Sequence, residues 1–146
     1  MKVAVACDHG AYDYKEIVKG MLQEMGHEVE DFGCHGNESV DYPDYAGPAA
    51  KAVADGECER GIVICGTGIG VSIAANKVKG IRCALCGDCV SAKLTREHND
   101  SNVLAMGARI IGVELMKEIV TIWMNTPFSN DARHMRRIEK VMELEK

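Results

Sequence analysis

The chain has 146 residues, a formal charge of -5 and seven cysteines, with 47% hydrophobic residues; that length buries one core without disulfide or metal staples, so a single domain over residues 1–146 is expected. An acidic balance is a poor match to nucleic acid or an anionic membrane, no apolar run approaches the about 20 residues of a bilayer span, and the first residues lack the order of a secretion signal, which leaves a cytoplasmic protein working on small molecules. The odd cysteine count shows no pairing framework and is read as free thiols.

Lys2 to Cys7 is an apolar strand ending in Asp8-His9-Gly10, polar residues at a carboxyl end of the kind where α/β sites collect. From Tyr12 to Met25 the apolar positions Tyr14, Ile17, Val18, Met21, Leu22 and Met25 recur at helical spacing, and Gly26 is a C-terminal stop. His27 to Phe32 reads as a short second strand, and Gly33-Cys34-His35-Gly36-Asn37 as turn. Asp41-Tyr42-Pro43-Asp44-Tyr45 reads as an extended pre-proline segment leading into an alanine-rich helix through about Ala54. Tyr42 either points into a site or packs as a surface aromatic.

The densest chemistry lies in Arg60-Gly61-Ile62-Val63-Ile64-Cys65-Gly66-Thr67-Gly68-Ile69-Gly70-Val71-Ser72. Ile62 to Ile64 is β-branched without polar alternation, the pattern of a strand buried on both faces. Gly66, Gly68 and Gly70 free the backbone to turn tightly with successive N–H groups inward. There Val71 to Asn76 begins a helix whose amino end favours negative charge. Cys65, at the strand end beside those dipoles, is either a nucleophile or base whose ionisation they favour, or a buried structural cysteine in a glycine-rich turn.

Gly80 to Gly87 reads as a fourth strand, Asp88 caps a helix to about Glu97, and Val103 to Met106 is a fifth strand after the polar cluster His98-Asn99-Asp100-Ser101-Asn102. Val113 to Met124 is helical, Asn125-Thr126-Pro127 breaks it, and Asp131 opens a last helix to the C-terminus. Arg133 and Arg137, four apart, project from one face and suit a phosphate dianion, unless with Arg136 and Lys140 they form a solvated basic face. Arg109 after the fifth strand is a further phosphate candidate. Strands alternating with helices imply an α/β fold with a parallel sheet and helices on both faces. Asp8-His9, Cys65 with its glycines, and His98-Asn99 then occupy or follow strand carboxyl ends and are expected to converge on one edge.

Rival constellations fail on spacing. A dinucleotide fingerprint needs G-x-G-x-x-G, usually in the first βα turn, whereas G-x-G-x-G follows the third strand here. A cysteine phosphatase loop needs an arginine where Val71 stands. A response-regulator-like domain needs acidic residues where Cys65 sits and a lysine after the fifth strand. Cys83-Ala84-Leu85-Cys86-Gly87-Asp88-Cys89 has the C-x2-C-x2-C spacing of metal or cluster ligation, but on a strand Cys83 and Cys86 point to opposite faces, and no fourth ligand with matched spacing follows.

Asp8-His9, Asp41-Tyr42-Pro43, Cys65 to Gly70, Ser72 to Lys77, His98-Asn99-Asp100, Asn102-Val103, Gly107-Ala108-Arg109, and Arg133 with Arg137 together resemble the type B ribose-5-phosphate isomerases, over essentially the whole chain. The resemblance implies a three-layer αβα, Rossmann-like domain with a five-stranded parallel sheet and a C-terminal helix. It also implies a homodimer or dimer of dimers with the site between subunits, and neither metal nor cofactor. The implied reaction interconverts ribose 5-phosphate and ribulose 5-phosphate through a cis-enediolate. In that family pattern the Cys65 thiolate moves the proton between C2 and C1, and the backbone of Gly66, Thr67, Gly68, Ile69 and Gly70 holds the enediolate oxygen. His98 opens the furanose ring, while Asp8 and Thr67 assist at hydroxyls. His9, Arg109, Arg133 and Arg137 grip the phosphate; Tyr42 and Asn99 place the sugar. One branch of the family uses a glutamate where Val71 stands, which leaves Cys65 as the base. Tyr12, Tyr14 and the Cys34-His35 loop match no family motif, so allose 6-phosphate, galactose 6-phosphate or a tetrulose 4-phosphate stand as alternative substrates. A metal- or redox-sensing module built on Cys83, Cys86 and Cys89 is the alternative of a different class.

Overall fold

The computed structural model describes all residues, Met1–Lys146. Its strands are β1 (Lys2–Cys7), β2 (Glu28–Asp31), β3 (Arg60–Cys65), β4 (Cys83–Leu85) and β5 (Val103–Gly107). Its helices are α1 (Tyr12–Glu24), α2 (Pro43–Ala54), α3 (Ile69–Asn76), α4 (Cys89–Asn99), α5 (Val113–Asn125) and α6 (Ala132–Glu143), with one 3-10 turn at His9–Ala11. Every strand pair is parallel, in the order β2-β1-β3-β5-β4. The expected α/β fold with five parallel strands between helical layers is what forms.

Period-two alternation divides the core into unequal halves. Val3, Val5, Cys7, Ile62, Ile64, Leu104 and Met106 pack on one face with Val18 and Leu22 of α1 and Met116, Ile119, Val120 and Trp123 of α5. Ala4, Ala6, Val63, Cys65, Val103 and Ala105 pack on the other with the alanines of α2 and with Val71 and Ala75 of α3. The small-residue face brings α2 and α3 close to the sheet, and Cys65 belongs to it.

Two polar networks fix the connections around this core. The Lys15 ammonium, fully buried, donates to both Asp31 oxygens at 2.8 Å and to the Cys34 carbonyl at 2.7 Å, and Asp31 also accepts from Lys19 and from the Gly33 N–H at 2.8 Å each. Burial would raise the Asp31 carboxyl, but these donors outweigh it and hold the group at about 2. At the other edge the Trp123 indole donates to Ser101 Oγ at 3.0 Å, and the Arg96 guanidinium donates to the Asp100 carboxylate, to the Ser101 carbonyl and to the Thr126 carbonyl. That network locks the end of α4 to the start of β5 and the end of α5.

Four boundaries differ from the sequence expectation. The helix α2 begins at Pro43, and Tyr42 is helical (φ -58°, ψ -32°) rather than extended. Carbonyls of Asp41 and Tyr42 accept the N–H groups of Asp44, Tyr45 and Ala46, and proline at the first position needs no donor, so turn formation overrides the pre-proline bias. The helix α3 starts at Ile69, two residues early, inside the glycine turn. The fourth strand is only Cys83–Leu85; the segment before it is held instead by the Asn102 amide, which accepts from Arg82 N–H at 2.8 Å and donates to the Gly80 carbonyl at 2.9 Å. His98 and Asn99 form the last turn of α4 rather than a loop, and Asp100 ends that helix in the left-handed region at φ 44°.

Candidate active site

The turn after β3 is built around the Cys65 sulfur. Cys65 is 5% exposed, and its Sγ accepts the Gly68 N–H at 3.1 Å, a donor that a thiolate accepts more strongly than a thiol does. Gly68 caps α3 with φ +79°, and a side-chain carbon there would lie 2.7 Å from the Met106 carbonyl carbon. Only glycine serves that position, because a side chain would meet both the left-handed backbone and β5. Thr67 Oγ1 accepts the Ile69 N–H at 3.2 Å, while Ala108 and Arg109 N–H groups donate to the Cys65 and Gly66 carbonyls at 2.9 and 2.8 Å. The end of β5 therefore holds the turn from below.

The end of β1 adds the second wall. Asp8 Oδ1 accepts the Gly10 N–H at 2.9 Å, and its own N–H donates to the Ile64 carbonyl at 3.2 Å. His9 Nδ1 accepts the Val40 N–H at 3.1 Å, so this ring nitrogen is an acceptor. Chain connections leave β1 and β3 in opposite directions across the sheet, and the crevice between their carboxyl ends is where ligands bind in such folds. The Arg109 guanidinium spans that crevice: a carbon on Gly10 would lie 3.6 Å from its Nη2, and one on Gly66 3.5 Å from its Nε and Nη1. The Tyr42 ring lies on Gly70, its Cζ 2.7 Å from where a side-chain carbon would start. Asp8, His9, Tyr42, Cys65, Thr67 and Arg109 thus gather on the carboxyl edge, with Gly66, Gly68, Ile69 and Gly70 supplying backbone.

The remaining four predicted residues do not join them. His98, Asn99, Arg133 and Arg137 line a separate cavity of about 630 Å³ between α4, α6 and β4, together with Asn76, Arg82, Cys83 and His134. The expected convergence of His98-Asn99 with Cys65 on one edge does not occur within the chain. The physical reason is direction: α4 follows β4 and runs back against the strands, so its last turn lies at the amino end of β5, opposite the Cys65 edge.

Sequence reasoning missed His134. Its ring lies 4.4 Å from that of His98 at an interplanar angle of 36°, and its Nδ1 is 2.7 Å from Ser129 Oγ. Burial, and then the charge of His98, push it below the ordinary imidazole value. The available signal was a histidine set between the two arginines of one helix turn.

The cysteine cluster does not assemble. Cys83 packs on the α2–α3 side, whereas Cys86 and Cys89 pack on the α1–α5 side. Burial pushes the Cys83 thiol up to about 12 and the Cys86 thiol up to about 11, and no three His, Cys, Asp or Glu side chains stand where one metal ion could be shared.

The sequence profile of the Ribose/Galactose Isomerase family matches residues 3–141. Ribose-5-phosphate isomerase B of Escherichia coli (strain K12) is 47% identical over 144 residues, covering 99% of this chain and 96% of that protein. D-erythrulose-4-phosphate isomerase of Pectobacterium atrosepticum is 42% identical over 142 residues, covering 97% of this chain and 93% of that protein. Among solved structures, ribose-5-phosphate isomerase B of Clostridium thermocellum superposes with a TM-score of 0.97 at 52% identity, over 99% of this chain and 97% of the other.

Proposed function

Because the chain belongs to the ribose/galactose isomerase family of aldose–ketose isomerases, we propose that it interconverts D-ribose 5-phosphate and D-ribulose 5-phosphate through a cis-enediolate. The observation that carries the reading is Cys65 at the head of a glycine turn, with the Gly68 N–H aimed at its sulfur. In the scheme His98 takes the proton of the C1 hydroxyl and delivers it to the ring oxygen as the bond from that oxygen to C1 breaks, which opens the furanose to the aldehyde. The Cys65 thiolate then removes the C2 proton, and the electron pair moves through C1–C2 onto the carbonyl oxygen. Backbone N–H groups from Gly66 to Gly70 stabilise that oxygen, Asp8 and Thr67 exchange protons between the two hydroxyls, and the thiol returns its proton to C1. Arg109, Arg133, Arg137 and His9 take the phosphate, and Tyr42 and Asn99 place the sugar. No cofactor or metal enters the scheme.

His98, Asn99, Arg133 and Arg137 lie in the α4–α6 cavity and the other groups at the carboxyl edge, so the proposal requires a second copy that sets its cavity against this chain's Cys65. Exposed Ile69, Leu85 and Ile110 around the turn support such a homodimer, or a dimer of dimers, because these apolar side chains line one surface with Thr67 without cover. Seven free thiols support a cytoplasmic setting.

A second reading keeps the site and changes the sugar, since a relative at 42% identity carries the name of a tetrulose 4-phosphate enzyme. Four-, five- and six-carbon sugar phosphates compared by kcat/KM in the presence of chelator decide between them. Ribose 5-phosphate is expected to lead the panel; no turnover of it would sink the proposal, and a higher value for erythrulose 4-phosphate would move it to the second reading.

A further inference from the structure

The last turn of α4 and the start of α6 are tied in a closed circuit. The Ser129 N–H donates to the Glu97 carbonyl at 3.2 Å, one residue before His98. Ser129 Oγ accepts the Asp131 N–H at 3.1 Å and bonds His134 Nδ1 at 2.7 Å. His134 completes the circuit by laying its ring against His98, with centroids 4.4 Å apart. At 8% exposure the His134 ring is packed into the cavity wall, and it makes no side-chain hydrogen bond except the one to Ser129.

We infer that His134 is a positioning residue for His98, held in that task by Ser129, and that the pair fixes the ring plane from which His98 acts on the sugar. The inference rests on the ring-opening role read for His98 above. A stacked wall restricts the one soft torsion of an imidazole whose own nitrogens must stay free for substrate, and general acid–base transfer depends on that direction. Electrostatics agree with the geometry. Burial and the charge of His98 lower His134, Asp131 pulls the other way, and Arg133 and Arg137 add to the lowering. These influences favour the neutral form of the ring that lies against His98.

The test separates ring opening from the later proton transfer. 4-Deoxyribose 5-phosphate lacks the hydroxyl that closes the furanose and stays open-chain, so its isomerisation needs Cys65 and the phosphate grip but no ring opening. His134→Ala and Ser129→Ala are expected to lower kcat on ribose 5-phosphate by about tenfold to a hundredfold and to leave turnover of the open-chain analogue unchanged. His134→Phe, which keeps a ring, should recover part of the loss. In the free protein, the His98 Cε1–H resonance should also move in His134→Ala as the ring current is lost. Equal losses on both substrates, or an unmoved His98 resonance, would overturn the inference. Ser129→Ala removes only the two hydrogen bonds of that hydroxyl, to His134 and from Asp131 N–H, and carries the test if the larger change disturbs folding. Wild-type protein inert toward ribose 5-phosphate would take the isomerase reading down with it, whereas active wild type with equal losses defeats this inference alone.

Discussion

At Cys65 the proposed chemistry rests on one sulfur. The carboxylate and the imidazole that share its edge are already engaged, Asp8 with Gly10 N–H and His9 with Val40 N–H, and an apolar residue, Val71, follows Gly70 where one branch of the resembled family has its glutamate base. Cys65→Ala is expected to lower exchange of the substrate C2 proton with solvent by at least about 10²–10⁴-fold, the usual worth of a positioned base, while a phosphate-bearing competitive inhibitor still binds. Cys65→Ser should be almost as inactive, because a hydroxyl is far less acidic than a thiol. Substantial exchange remaining in Cys65→Ala, followed by proton NMR in deuterated buffer, would return Cys65 to a packing role. Arg137 tests a different quantity. Arg137→Ala should weaken ground state and transition state alike, by about 1.5–3 kcal/mol for a lost charge-assisted bond, and appear mainly in KM. An unchanged kcat/KM would leave that arginine a solvated surface charge.

At the scale of the element, the connection after β2 depends on a buried ammonium. Asp31→Asn leaves Lys15 without its carboxylate, and breaking a buried pair by removing one partner costs about 3–5 kcal/mol. The sign with pH follows from the carboxyl held at about 2, below the about 3.9 of an unfolded aspartate. Its contribution is complete above the unfolded value and is lost as pH falls through the folded one. Urea unfolding should therefore show a large gap between wild type and Asp31→Asn at pH 7, narrowing as pH is lowered from about 4 toward about 2; a gap independent of pH would refute the assignment. Elements of this kind were unequally legible in the sequence. The strands β1, β3 and β5 announce themselves because they are buried on both faces. The strand β4 is shorter than its apolar run because its flank is held by the Asn102 amide, a contact 20 residues away that no local pattern encodes. His98-Asn99 read as loop for a related reason: a polar last turn, ended by a left-handed Asp100, looks like a connection when only residue type is known. His134 was hidden by its polar neighbours, since its burial depends on α4 lying across α6.

For the whole molecule, a site divided between two regions makes a prediction about mixtures. In a two-fold dimer each site would take Cys65 from one subunit and His98 from the other. Co-expressed Cys65→Ala and His98→Asn chains, each inactive alone, should then form heterodimers in which one site carries both lesions and the other none. Random pairing makes half the dimers mixed, so activity should return to about a quarter of wild type. If both residues served one site within a chain, every site would keep a lesion and no activity would return. How copies could meet in the proposed dimer is limited by the borders of the sheet. At one border Cys83 turns its N–H and carbonyl outward, and the Asn76 side chain occupies both, at 2.8 and 3.0 Å. At the other, β2 carries Glu28, Glu30 and Asp31, with Lys2 paired to Glu30 across the strands. Charge at one border and the Asn76 side chain at the other disfavour addition of a neighbouring strand. In the proposed dimer the apolar side chains around the turn would then be covered through helices and loops, without inviting runaway strand addition.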